Sequence, residues 1–344
     1  MSQPVALPIR VTVEAPARLH FGILDLRGHR GRRFGGIGAA VPTPSLLLEA
    51  TPHPLLTAEG PDAGRALEFG RRYLEATGLT GGAHLRVHRV IPSHVGLGSG
   101  TQMALAVARA LAELYGQPSE PLTLARAVGR GQRSAIGTWT FALGGFVLEG
   151  GRRSDGGVAP LISRLPIPPG WRCVIAIPEG RPGLSGSAEA AAFRELPPPE
   201  EREVERVAHL VLMQLLPALA DADLTAFGAA LTEVQRVTGG WFAPAQGGAF
   251  SPGATEALVE RMAAFGAAGV GQSSWGPTVY ALVPQEDAAQ DLGQRLRAWL
   301  GGRGVVLETG FSERGALVSS EFTGVGPGPG RPAGGGGGRP AKPD

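Results

Sequence analysis

Pro92–Gln102, PSHVGLGSGTQ, sets Gly96, Gly98 and Gly100 on alternate positions directly before the apolar run MALAVARALAELYG. Glycine lets a backbone approach a ligand closely, and a helix N-terminus offers unpaired N–H groups and a positive dipole end. Gly96, Leu97, Gly98, Ser99, Gly100, Thr101 and Gln102 are therefore expected to cradle a phosphate or pyrophosphate group. Thr101 or Gln102 would open the helix and Gly116 would stop it. A tight turn between a strand and a helix uses the same residue types, so other segments must decide.

Three other segments carry candidate chemistry. Ala15–Val41 concentrates Arg18, His20, Asp25, Arg27, His29, Arg30, Arg32 and Arg33. Arg18 and His20 alternate with Leu19 and Phe21, which in a strand puts both polar groups on one face. Such a pair on a core strand is costly unless that face opens on a site. The Arg27–Arg33 cluster reads either as anion-binding or as a solvated basic loop. Gly269–Tyr280, GVGQSSWGPTVY, offers Gln272, Ser273 and Ser274 as neutral hydrogen-bonding groups and Trp275 as an aromatic surface. Gly129–Gly145, GRGQRSAIGTWTFALGG, places Arg130, Arg133 and Ser134 between glycines, where ligand contact and loop packing are both open.

Lys342 is the chain's lysine, so the folded part has no P-loop lysine and no Schiff-base chemistry. Anions must be met by guanidinium groups or backbone N–H, and arginine suits bidentate recognition of phosphate and carboxylate. The net charge is +2 and the pI about 9.1. The basic residues are not interleaved with aromatics, which excludes a nucleic-acid surface. No HExxH or clustered carboxylates appear, so no protein-held metal is expected. Cys173 is the only cysteine, in the strand-like WRCVIAIP, which implies packing and no disulfide. The N-terminus lacks a signal pattern and the longest apolar run, Val207–Ala220, is too short and broken for a bilayer. A cytoplasmic protein without a membrane partner is expected.

At 344 residues, two domains are expected. PIPPG (Pro166–Gly170) marks the internal boundary, giving domains at 1–165 and 166–323, and the Gly/Pro tail 324–344 is expected to be disordered. The patterning predicts strands at Ile9–Ala15, Leu46–Ala50, Ala83–Arg89, Phe146–Glu149, Trp171–Ile177, Thr278–Val283, Val305–Thr309 and Ala316–Ser320. Helices are expected at Gly64–Thr77, Gln102–Tyr115, Leu122–Gln132, Glu201–Leu219, Leu224–Val237, Ala254–Ala267 and Asp287–Leu300. The last stretch suits a split βαβ arrangement.

APARLHFGILDL, PSHVGLGSGTQ and GVGQSSWGPTVY, in this order, resemble the GHMP kinase superfamily over most of residues 9–320. The resemblance implies an α+β fold with a ribosomal protein S5 domain 2-like N-terminal domain and a ferredoxin-like C-terminal domain. Many kinases of this type carry a lysine where this chain has Arg18, and several carry an aspartate where ungapped alignment puts Gly137. RLHFGILDL, GRGxRSxIG and GQSSWGPTVY closely resemble the β-ribofuranosylaminobenzene 5′-phosphate synthases, a branch that is not a kinase. That resemblance implies a pentosyltransferase of tetrahydromethanopterin biosynthesis. It would join 4-aminobenzoate, or a 4-hydroxybenzoate-like analogue, to phosphoribosyl pyrophosphate with loss of CO2 and pyrophosphate. It also implies substrate-borne Mg2+, no organic cofactor and a homodimer.

On this reading Arg18, His20 and Asp25 are the catalytic candidates, and Arg27 and Arg30 join the glycine loop in holding phosphate. Arg130, Ser134, Gln272, Ser273, Ser274 and Trp275 would bind substrate. The alternative is an ATP-dependent GHMP small-molecule kinase.

Overall fold

The computed structural model describes residues 7–180, 183 and 186–322, so the tail expected at 324–344 lies outside the described residues. An eight-stranded sheet runs in the order β12-β1-β2-β4-β3, with β5 and β6 also paired to β2 and β7 paired to β5. Its strands are β1 (Arg10–Asp25), β2 (Arg32–His53), β3 (Thr57–Glu59), β4 (Gly82–Arg89), β5 (Phe146–Glu149), β6 (Arg152–Arg153), β7 (Leu161–Leu165) and β12 (Leu317–Glu321). The second sheet runs β11-β8-β10-β9, from β8 (Arg172–Pro178), β9 (Gly269–Gln272), β10 (Val279–Val283) and β11 (Gly304–Thr309).

The helices are α1 (Ala63–Thr77), α2 (Ser99–Leu114), α3 (Pro121–Ala127), α4 (Ile136–Leu143), α5 (Gly186–Glu195), α6 (Glu201–Leu210), α7 (Leu216–Ala220), α8 (Leu224–Gln246), α9 (Ala254–Ala264) and α10 (Glu286–Leu300). A π-helical turn, Val211–Leu215, joins α6 to α7.

Long strand β1 organises the molecule. It pairs antiparallel with β2 on one side and with the late strand β12 on the other. Its apolar residues Val11, Val13, Leu19 and Phe21 are buried in the main core with α2 residues such as Leu105 and Leu111. The α2 segment is buried on nearly every face, as its alanine- and leucine-rich sequence demands.

In the second sheet β8 lies between β10 and β11 and runs antiparallel to both, with α10 connecting the outer pair, so the expected split βαβ is present. Period-two alternation divides its side chains. Cys173, Ile175, Tyr280 and Leu282 face the main core, while Val174, Ala176, Val279 and Ala281 pack under α9 and α10.

Several boundaries differ from expectation. Helix α2 begins at Ser99, three residues before Gln102, because Gly98 in the left-handed conformation (φ 79°) forms the N-cap. The helix expected to Gln132 stops at Ala127, where Gly129 and Gly131 take positive φ. The first half of β2, α4, β7, β9 and α5 are additions, their glycine content or short length having hidden the period.

Candidate active site

Arg18 and His20 share one face of β1, opposite Leu19 and Phe21, and both line a cavity of about 220 Å³. Thr101, Arg130, Arg133, Ser134, Gln272, Ser274 and Trp275 contribute to the same wall. Four chain segments far apart in sequence therefore meet there.

The anion-facing side is built on the N-terminus of α2. A Cβ placed on Gly98 would lie 2.8 Å from Arg18, and one on Gly100 would lie 3.1 Å from Arg65 and 3.3 Å from Arg130. Those glycines keep the helix end open between three guanidinium groups. Burial lowers the Arg18 pKa to about 10, an effect that Glu189 opposes. Burial, with Arg65 and Arg72 nearby, also brings Arg130 to about 10. Both remain charged at neutral pH. The Arg130 guanidinium lies over the Phe69 ring at 4.8 Å, and its buried Nε has no hydrogen-bond partner among the described residues. A desolvated cation with unused donors beside a helix N-terminus is a ready anion site.

Other residues of the glycine loop are structural supports. Gly96 O accepts hydrogen bonds from the Arg18 guanidinium and from Ser273 Oγ, the latter at 2.8 Å. Leu97 is fully buried and its carbonyl accepts the Arg18 backbone N–H. Gln102 points away into the core, where its Nε2 donates to Gly137 O at 3.0 Å. Ser273, also fully buried, accepts the His20 backbone N–H at 3.0 Å and so ties β1 to the glycine loop.

The apolar side is a cluster of edge-to-face rings. Trp275 stands 5.4 Å from Phe193 and 4.7 Å from Phe242, centroid to centroid. Gln272 is held by Gln235, Gln246 and Ser251, and its Oε1 accepts the Ser251 N–H at 2.8 Å. Ser274 takes φ 57°, a left-handed conformation unusual for serine, at the cavity rim. His20 is neutral, because burial and then Arg18 lower its pKa to about 3. Its Nε2 lies 3.2 Å from Ser134 Oγ.

The structure does not bring Asp25, Arg27 or Arg30 to this cavity. Asp25 accepts the Gly28 N–H at 2.8 Å and caps its own turn. Arg27 donates to Pro199 O at 3.1 Å, and Arg30 pairs with Glu201 and Glu205 while well exposed. In their place the structure supplies Glu189, which sequence reasoning passed over. It lies on α5, is the one carboxylate on the cavity wall among the described residues, and accepts from Arg133 Nη2 at 2.5 Å. Burial raises its pKa while Arg133, Arg18 and Arg130 oppose the shift. A signal was present: SAEAAAFRE is rich in helix formers and is stopped by LPPP.

Comparison with known proteins agrees with this architecture. Residues 63–145 match the description GHMP kinases N terminal domain, and residues 215–301 match GHMP kinases C terminal. A β-ribofuranosylphenol 5′-phosphate synthase of Methanothermobacter thermautotrophicus is 34% identical over 332 residues, spanning 90% of this chain and 99% of that protein. One from Archaeoglobus fulgidus is 33% identical over 312 residues, spanning 86% and 95%. Among solved structures, homoserine kinase from Cytophaga hutchinsonii superposes with a TM-score of 0.66 at 19% identity, covering 93% of this chain and 100% of that one. Mevalonate kinase of L. major in complex with R-mevalonate gives 0.66 at 17%, covering 94% and 99%. At those identities the structural likeness concerns the fold.

Proposed function

The chain belongs to the β-ribofuranosylphenol 5′-phosphate synthase family of the GHMP kinase superfamily, and from that premise we propose that it joins phosphoribosyl pyrophosphate to a para-substituted benzoate. The products would be a C-riboside, CO2 and pyrophosphate, as in an early step of tetrahydromethanopterin biosynthesis. The phenol in the relatives' name favours 4-hydroxybenzoate as acceptor, with 4-aminobenzoate as the close analogue. The observation that carries the reading is the convergence of Arg18 and Arg130, both desolvated, with the α2 N-terminus on one cavity that also has an aromatic wall.

The chemistry asks little of covalent catalysis. The bond from ribose C1 to pyrophosphate breaks, the ring carbon bearing the carboxylate attacks C1, and the carboxyl carbon leaves as CO2. Arg18, Arg130 and the open N–H groups of α2 hold the departing pyrophosphate and stabilise its charge. Phe193, Phe242 and Trp275 offer a dry face for the ring, which fixes the two reactants together. Arg133 faces the cavity with Nη2 donating to Glu189, and its remaining donors would meet the acceptor's carboxylate.

Magnesium fits as a substrate-borne ion. No three His, Cys, Asp or Glu side chains gather among the described residues, and Glu189 is the carboxylate within the cavity. Such an ion would supply neutralisation of pyrophosphate charge, and Glu189 would be its protein contact.

The kinase alternative is disfavoured by packing as well as by sequence. A Cβ at position 137 would lie 2.9 Å from Thr101 Cγ2. An aspartate there would require the Thr101 side chain to shift. One incubation tests the proposal: protein, Mg2+, phosphoribosyl pyrophosphate and carboxyl-labelled 4-hydroxy- or 4-aminobenzoate. Labelled CO2 with pyrophosphate is the expected result, and its absence with both acceptors would refute the proposal.

A further inference from the structure

Glu149 ends β5 as a fully buried carboxylate behind the cavity wall. Its Oε1 accepts the Ala135 N–H at 3.2 Å and its Oε2 accepts the Gly151 N–H at 2.9 Å. Ala135 directly follows Ser134, and the Ser134 hydroxyl is itself a neighbour that favours the ionised carboxylate. On its other side Ser134 Oγ lies 3.2 Å from His20 Nε2 and accepts the Ile136 N–H at 3.2 Å. Glu149, Ser134 and His20 thus form a line from the core to the cavity.

The proton inventory of that line is short. A hydroxyl has one proton and two lone pairs, and a neutral imidazole has one N–H and one acceptor nitrogen. Ser134 already accepts from Ile136. When its proton points to an ionised Glu149, the remaining lone pair accepts from His20 Nε2–H. His20 Nδ1, with no hydrogen-bond partner among the described residues, is then the acceptor. If Glu149 is protonated it donates to Ser134, whose own proton turns to His20 Nε2, and Nδ1 becomes a donor.

We propose that Glu149 is a positioning residue which, through Ser134, sets the tautomer of His20 and keeps Nδ1 a proton acceptor toward the cavity. Burial pushes the Glu149 pKa up to about 7, opposed by Gly151 N–H, Ala135 N–H and Ser134. His20 itself stays neutral over the same range. The titratable groups on the surrounding elements are His20 on β1, Arg32 and Arg33 on β2, Arg152 on β6, Arg164 on β7 and Arg133 before α4. None of these contributes to the Glu149 shift. The catalytic use of the tautomer rests on the reaction proposed above. An accepting Nδ1 can take the para hydroxyl proton of 4-hydroxybenzoate while the ring attacks, and return it after CO2 has left.

The test reads the tautomer directly in ligand-free protein by 15N NMR of labelled histidine, with His20 assigned by its loss in His20→Gln. Wild type is expected to show Nε2–H at pH about 8.5 and to shift toward Nδ1–H as pH falls through the Glu149 pKa. Glu149→Gln, whose amide can donate to Ser134, is expected to hold Nδ1–H throughout. An Nδ1–H tautomer at high pH in wild type, or one indifferent to both pH and the substitution, overturns the proposal. Wild-type kcat/KM should drop about tenfold one unit below the Glu149 pKa, while Glu149→Gln shows no such step. Absence of riboside in every sample would count against the proposed reaction, while the NMR result still decides the tautomer.

Discussion

Two groups of arginines meet opposite fates. Arg27 and Arg30 in the β1–β2 loop, and Arg32 and Arg33 at the start of β2, each find a protein partner: Pro199 O, Glu201 with Glu205, Gly151 O, and Leu26 O with Phe193 O. Arg27, Arg30 and Arg33 clamp the segment from α5 to α6, which carries Glu189 and Phe193 to the cavity. Arg18 and Arg130 are instead desolvated beside the α2 N-terminus, with Glu189 as the one carboxylate in the cavity they line. Charge count does not distinguish the groups. Unmet donors in a dry site do, because a charge there is worth far more to a ligand than a solvated and already paired one.

The comparison breaks most sharply at the buried pair. Arg130→Ala and Arg18→Ala should each lower kcat/KM for riboside formation by about 100-fold or more, roughly 3 kcal/mol of transition-state stabilisation. Steady-state assay of pyrophosphate release checks this. Near-normal turnover in Arg130→Ala would remove the α2 end as the leaving-group site.

Burial also dictates where pH acts on stability. His20 has a folded pKa of about 3 against an ordinary 6.5, so the unfolded chain binds the extra proton and stability rises with pH between those values. Glu149 runs the other way, because its folded pKa of about 7 exceeds the ordinary 4.5. The native state then holds the extra proton, and stability falls as pH rises through that window. The two slopes oppose each other in the overlap. In Glu149→Gln the rise due to His20 should stand alone, on the order of 2 kcal/mol across the overlap. Urea midpoints for wild type and variant over that pH range measure it, and parallel profiles would contradict it.

How much of this was legible in the residues follows the same division between local pattern and tertiary contact. The GHMP fold was legible through the resemblance of three ordered motifs to that superfamily, while the split βαβ and the shared face of Arg18 and His20 follow from short-range periodicity. Local pattern also singled out Ser134 and Trp275, which the fold brings to the cavity wall. Arg27 and Arg30 have the same composition as a phosphate site, and only the later position of Glu201 and Pro199 shows that they are satisfied elsewhere. Glu149 and Glu189 carry no motif. One ends an apolar strand, and the other sits in an alanine-rich helix whose destination depends on the basic clamp.

Glu189 sharpens the comparison because it is the internal anion of the cavity. Its carboxylate accepts from Arg133 and offsets Arg18 and Arg130. Glu189→Gln should therefore bind inorganic pyrophosphate about fivefold more tightly in the absence of magnesium, roughly 1 kcal/mol. Calorimetric titration reads this, and weaker binding without magnesium would assign Glu189 an attractive role instead.

The smallest effect belongs to the exposed group. Arg30 pairs with Glu201 and Glu205 at the surface, where solvent screening leaves an ion pair little to contribute. Glu201 also meets His29 at 2.9 Å, so it keeps a partner when Arg30 is removed. Arg30→Ala should leave kcat/KM within about twofold of wild type, with a small loss of stability that shrinks further in salt. Arg27 is the more informative neighbour, since it holds Pro199 O and thereby the approach to α6. Should Arg30→Ala alone cost as much turnover as Arg130→Ala, the loop would be a second anion site, and the division between clamp and cradle would fail.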